Sequence, residues 1–381
     1  MQVQRNNIRQ FLVFIVVFIP VFVNLDFSNN LRFDVGALNW IGVPSVPLSI
    51  IVLVVLCLAY LKQIFRKKHL IILCLMMSIY LCMNFLVDLG TRPVIVFVGM
   101  FIPILSYEVF VQFLRNKPYS YEALYWAMLC VFIVKVVADI TIFGELVTHN
   151  FMGENIWIYN YYDYFPFFYL MLIVLSMYNI SIERLKGIST IVIILTLVIL
   201  TFTHSRLYQY GIVAIPLLWY MHKLTTLKLT LWFNFLFFLV VFTTLILALS
   251  DINFEEGSLS ARIALWRGYF EHFTIWNFLF PFYNEFRTGG GRDVSFHNEL
   301  LEQFSFFGFV VFYYYLFFIK NIFVNVSSLF KPYSFLVMFT LVVGLLIQSN
   351  FSNPYVGIIF GAVFAIFRKD DKKCLENFNN E

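Results

Sequence analysis

The chain has 381 residues, 61% of them hydrophobic and 13% charged, with a mean hydropathy of +0.82. A water-facing surface for a chain of this size requires about twice that share of charged residues, so the composition excludes a soluble globular protein and indicates a membrane protein. The 26 lysines and arginines exceed the 22 acids by only four and are scattered, which excludes a nucleic-acid-binding surface.

Twelve apolar segments are long enough to be read as membrane spans, with cores near 10–25, 43–61, 69–89, 93–114, 122–143, 164–178, 187–202, 207–221, 229–249, 300–319, 333–349 and 354–367. The expected fold is an all-α polytopic membrane protein, a single transmembrane domain over 1–381. Its one large loop, 250–299, lies between spans nine and ten and contains short helices. The first apolar run lacks a small-residue cleavage site and is read as a retained span. The cysteines Cys57, Cys74, Cys82, Cys130 and Cys374 have no paired spacing, so neither a metal site, a cofactor nor a disulfide framework is expected.

Basic residues orient this map, because loops that stay in the cytoplasm are rich in Lys and Arg. With both ends inside, 18 basic residues fall on the cytoplasmic side, 7 on the other, and Lys135 lies within span five. The seven are Arg32, Arg92, Arg206, Arg262, Arg267, Arg287 and Arg292, and none is lysine. A rigid bidentate cation suits phosphate or carboxylate, so this bias suggests anion recognition.

Along the chain, Glu108, Lys135 and Asp139 lie within spans, and the last two, four apart, are expected to pair. Residues 144–163 mix His149, Glu154 and Asp163 with Trp157, Tyr159, Tyr161 and Tyr162. That composition fits either an interfacial aromatic belt or a platform for sugar rings. In the short turn THSRLYQY, Arg206 sits where the chain barely clears the membrane, beside His204 and Ser205 and before Tyr208 and Tyr210. A charge at that depth marks either a functional site or a side chain snorkelling to lipid phosphate.

The loop 250–299 is the densest in polar signals. A helix is expected from near Ala261, capped by Ser258 or Ser260, with Arg262 and Trp266 on one face and Arg267 and Glu271 on another. Farther on, Arg287 and Arg292 flank Gly289, Gly290 and Gly291, whose backbone freedom suits either an anion or a surface turn. No Gly-Lys-Ser or Gly-Lys-Thr follows, which excludes a nucleotide-binding P-loop. His297 closes the loop with Asn298 and Glu299 beside it and Glu302 one turn beyond, a setting that suits a base for a hydroxyl.

These segments resemble the O-antigen polymerase and O-antigen ligase superfamily of bacterial inner membranes, glycosyltransferases of the GT-C type. The resemblance rests on three patterns within about residues 200–311. His297 and Asn298 are followed at the family's spacing by Gly308; Ser258, Arg262 and Trp266 match its Ser-x-x-x-Arg-x-x-x-Trp segment; Thr203, Ser205 and Arg206 match its Thr-x-Ser-Arg turn. Val311 departs from the glycine, threonine or tyrosine frequent there, and His204 replaces a frequent glycine.

The resemblance implies polymerisation of undecaprenyl-diphosphate-linked oligosaccharides at the periplasmic face of the inner membrane, with both termini cytoplasmic. Donor and acceptor are then both lipid-linked, membrane lipid surrounds the enzyme, and a separate chain-length regulator is a candidate partner. It further implies that Arg206 and Arg262 hold the diphosphate, that Arg287 and Arg292 assist or hold the loop, and that His297 orients or deprotonates the acceptor with Glu299 as helper. Trp266, Asn298 and Tyr208 complete the substrate-binding set. A diphosphate leaving group stabilised by arginines calls for no metal, and direct attack inverts the anomeric carbon. Three alternatives remain: a ligase that transfers glycan to lipid A core, attachment to a protein, and a flippase or transporter of lipid-linked oligosaccharide.

Overall fold

The computed structural model describes residues 67–114, 120–143, 148–151, 154–157, 165–201, 228–250, 258–292, 294–344 and 354–369, with isolated helical positions 11, 15, 54 and 58. The helices are α1 (Lys68–Leu86), α2 (Arg92–Leu114), α3 (Ser120–Phe143), α4 (Phe165–Ser181), α5 (Lys186–Thr201), α6 (Leu229–Leu249), α7 (Ser258–Glu271), α8 (Glu285–Gly289), α9 (Glu299–Val324), α10 (Lys331–Gly344) and α11 (Pro354–Ile366). Short 3₁₀ turns occupy Ile275–Phe278, Pro281–Tyr283 and Ser328–Phe330. Of these, α1, α2, α6 and α9 are long and apolar enough to cross a membrane, and α3, α4, α5, α10 and α11 contribute shorter apolar stretches. The expected spans 10–25, 43–61 and 207–221 lie almost entirely outside the described residues. One element was not anticipated: within 144–163 the backbone forms an antiparallel hairpin, β1 (Thr148–Phe151) and β2 (Glu154–Trp157).

Close packing between apolar helices in lipid depends on small residues, because lipid tails are as apolar as leucine and only short interaxial distance gains dispersion energy. The tightest pair here is α2 with α11, and it is made by Gly357 and Gly361, four apart on one face of α11. A Cβ added to Gly361 would lie 2.5 Å from Ser106 Cβ and 2.6 Å from the Tyr107 amide nitrogen. One added to Gly357 would lie 2.9 Å from Ile102 and 3.0 Å from Pro103. The two backbones are therefore nearly in contact, and the Ser106 hydroxyl turns back to the Ile102 carbonyl at 2.5 Å instead of facing α11.

The helices run between two ends with different chemistry. At one end, Lys67 pairs with Glu108, Arg184 with Glu122 at 3.0 Å, and Phe367 is packed among Tyr121, Tyr178 and Phe330. Lys186, Lys228, Lys331, Arg368 and Lys369 belong to the helix termini of this end. At the other end, the α1–α2 turn, the end of α6, the loop and the start of α9 meet, and the described basic residues there are Arg92, Arg262, Arg267, Arg287 and Arg292. The separation of lysine-bearing from lysine-free segments anticipated from the sequence thus holds among the described residues.

Replacing Gly361 with valine should force α2 and α11 apart and destabilise the protein by about 1–3 kcal/mol, as overpacking does. A lowered thermal midpoint in detergent would register it. Gly187→Ala, where an added Cβ meets nothing within 4 Å, should leave the midpoint unchanged or slightly raised.

Candidate functional site

The loop carries its own small core. Ile263, Trp266 and Tyr269 recur every three residues on α7 and are buried with Phe296, Leu301 and Ala248. The helix begins at Ser258, earlier than the expected Ala261. Trp266 is 1% exposed and its indole donates to the Phe296 carbonyl at 2.8 Å, so it anchors the loop. Arg267 reaches the Ser250 carbonyl at 2.6 Å, tying α7 to the end of α6; an ion pair with Glu271 is not formed. Asn284 closes the next turn, donating to the Tyr269 and His272 carbonyls and accepting from the Phe286 amide as the cap of α8.

At the centre lies Arg287, with a side chain 0% exposed. Its guanidinium is sandwiched between the rings of Phe296 and Phe306, 4.0 and 4.2 Å from their centroids. It donates to the carbonyls of Gly291 and Val294 and to the Ser305 hydroxyl, each at 2.8 Å. Burial pulls its pKa down to about 10, with Glu302 opposing the shift, so it stays cationic at neutral pH. The glycines following it have unequal duties. Gly291 is required, since an added Cβ would collide with Phe286 at 2.4 Å, whereas Gly289 and Gly290 face open space. Of the two roles expected for Arg287, this geometry is that of holding the loop.

Glu302 joins loop and bundle. Its Oε1 accepts from Arg92 Nε at 2.7 Å, its Oε2 from the Phe296 amide at 2.8 Å, and Arg287 lies 3.8 Å from Oε2. Two guanidinium groups thus share one carboxylate, leaving an excess positive charge. Arg287 is sealed, while Arg92 keeps 20% of its side chain exposed, so Arg92 presents that charge outward. Arg92 was visible in the sequence only as one of seven arginines outside the spans; its place in the site depends on contact with a residue 210 positions away.

His297 and Asn298 divide their work by backbone geometry. His297 has φ +50°, a left-handed turn, and its amide donates to the Ser295 hydroxyl at 3.2 Å. Asn298 then caps α9, accepting from the Leu301 amide at 3.0 Å and donating to the Thr244 hydroxyl on α6 at 3.0 Å. The His297 ring keeps an exposed edge. Partial burial, then the fields of Arg262 and Arg92, lower its pKa against the opposing pull of Glu302. The ring is therefore neutral near pH 7 and able to accept a proton. Glu299, the helper expected from the sequence, is 3% exposed and accepts from Gln303 at 3.2 Å; the carboxylate whose field reaches His297 is Glu302. Arg262 is partly buried on α7, and Arg292 pairs with Asp88 at 3.2 Å, fastening the loop to the α1–α2 turn.

Arg206 and Tyr208 lie outside the described residues, as do the side chains of Lys135, Asp139 and the 144–163 segment. Among the described residues, no three of His, Cys, Asp and Glu come together as a metal site.

Arg287→Ala should cost about 3–5 kcal/mol by leaving Glu302 and two carbonyls short of donors, and Arg287→Lys should recover only part of it, because an ammonium cannot span the fork. Detergent unfolding curves measure both. Arg262→Gln should raise the His297 pKa, read from its ring resonances by NMR. Because that pKa is lowered in the folded protein, the unfolded chain takes up the proton first; stability should fall as pH drops below the ordinary value of about 6.5 and level off below the folded pKa. The His297→Gln variant should lack this component. Compared with protein-family models, with curated proteins and with solved structures, the chain matches none.

Proposed function

We propose that this chain is a membrane-embedded glycosyltransferase that joins undecaprenyl-diphosphate-linked oligosaccharide units, in the manner of an O-antigen polymerase. The observation that carries the reading is that Arg92 is paired with Glu302 at 2.7 Å while His297 lies within the fields of Arg262, Arg92 and Glu302, at the lysine-free end of apolar helices. The order of the Ser258-Arg262-Trp266 and His297-Asn298-Gly308 patterns along the chain supports it. In this reading the fold is of the GT-C type with about twelve spans in a bacterial inner membrane. Both termini are cytoplasmic and the site is periplasmic.

In the reaction, an acceptor sugar hydroxyl attacks the anomeric carbon of the donor glycan. The new carbon–oxygen bond forms as the bond to the lipid diphosphate breaks, and the configuration inverts. His297 takes the hydroxyl proton, for which its lowered pKa keeps it ready. Arg262, Arg206 and the outward edge of Arg92 meet the charge that develops on the departing diphosphate. Glu302 fixes Arg92, while Trp266, Asn298 and Arg287 keep the loop in the shape that brings these groups together.

Reconstitution of the purified protein with lipid-diphosphate-linked repeat units, with and without lipid A core, tests the proposal. A ladder growing on the lipid carrier without lipid A core is the expected product; a product formed only on lipid A core assigns a ligase. His297→Ala and Arg262→Ala should each lower turnover by about 10²- to 10⁴-fold while leaving the protein monodisperse. Chelators should leave the rate unchanged. Loss on chelation with rescue by a divalent ion would remove the arginines as sole stabilisers of the leaving group.

A further inference from the structure

We infer that residues 275–283 form a re-entrant wedge whose outward side chains sit in the hydrocarbon of the leaflet on the loop's side, with membrane acyl chains as the occupant of that surface. The inference concerns how the loop sits in the bilayer and is independent of the reaction proposed above.

The segment TIWNFLFPFYN is built inside out. Ile275 is 73% exposed, Trp276 67% and Tyr283 63%, while Asn277 is 2% exposed. The buried amide completes a capping box with Thr274 and donates to the Phe280 carbonyl at 3.4 Å. Much of the main chain is tied up as well. The amides of Asn277, Leu279, Phe280, Tyr283 and Asn284 are all bonded to nearby carbonyls, and the Leu279 carbonyl accepts from the Tyr80 hydroxyl at 2.7 Å. In water, this arrangement would expose apolar surface and gain nothing by internal polar pairing. In hydrocarbon, internal satisfaction of polar groups is what the environment demands.

Depth gives the second argument. The wedge packs on Gly308, where α9 leaves helical geometry at φ +68°, and a Cβ there would lie 2.9 Å from the Phe278 carbonyl oxygen. Gly308 is nine residues inside α9 and Tyr80 six residues from the end of α1, which by helical rise puts the wedge roughly 9–13 Å along two helices long enough to span a membrane. Half a hydrocarbon core is about 15 Å. The apolar surface also continues onto those helices, through Ile79 at 61%, Phe309 at 49% and Tyr313 at 60% exposure.

The test uses the full chain with its own cysteines replaced by serine and a bimane label at Trp276→Cys, reconstituted in phosphatidylcholine and phosphatidylglycerol vesicles. Lipids bearing a nitroxide on the upper acyl chain should quench this label about threefold more than aqueous iodide does, and a label at exposed Glu285→Cys should show the reverse order. Quenching of the 276 label by iodide alone overturns the inference. So does protection from both quenchers, which would mean that a second copy or another protein covers the wedge. Both labelled positions are exposed, and monodisperse elution confirms that each variant is folded.

Discussion

One buried guanidinium organises the polar end of this protein. Arg287 has no route to solvent, so its charge must be met within the fold, and every contact it makes fixes a different part of the loop. Two carbonyls set the turn after α8, Ser305 sets the register against α9, and two phenylalanine rings clamp the plane of the group. Glu302 carries the arrangement across to α2. Burying an ion pair is rarely a source of net stability, but breaking one is costly, and that asymmetry gives the loop one preferred shape.

A second constraint lies inside α9. At Gly308 the backbone leaves helical geometry, within a helix long and apolar enough to cross a membrane. Asn84, on α1, donates to the Phe306 carbonyl at 2.9 Å and so supplies a partner for a group near the break. The helix is thereby divided into an upper part that bears Glu299, Glu302 and the cap at Asn298, and a lower part packed with Phe323 and Tyr315 in the apolar core. The aromatic wedge fits into the bend between them.

Much of this organisation is legible in the sequence, and the unread parts have physical causes. Apolar runs gave α1, α2, α6 and α9 to within a few residues, and arginine without lysine marked the polar end. His297 and Asn298 stood out at the end of the polar loop and Gly308 through the family resemblance, and each occupies a position of special backbone geometry or capping. Arg92 stood out only as one of seven arginines, and Glu302 only as an acid one turn beyond His297, because their pairing is a contact between residues 210 apart. The apolar character of 275–283 was lost in a chain where phenylalanine is everywhere; only the inward turn of Asn277 distinguishes it. The backbone contact of α2 with α11 was likewise invisible, since glycines four apart acquire meaning only when a partner helix is known.

The long spacing of these contacts bears on how the protein is made. Arg92 meets Glu302 across 210 residues, Asn84 meets Phe306 across 222, and Tyr80 meets Leu279 across 199. The hairpin of α1 and α2 is therefore synthesised long before the segments that complete its polar contacts. Asn84 is provided for in the interval, because its amide also donates to Tyr80 within its own helix at 2.7 Å. Arg92 has no such local substitute among the described residues and must wait at the aqueous border, where the end of a helix lets it remain hydrated. Assembly of the charged centre is then a late event in biogenesis, dependent on insertion of α9, and a nascent chain stopped before residue 299 carries the arginines without the scaffold that aligns them.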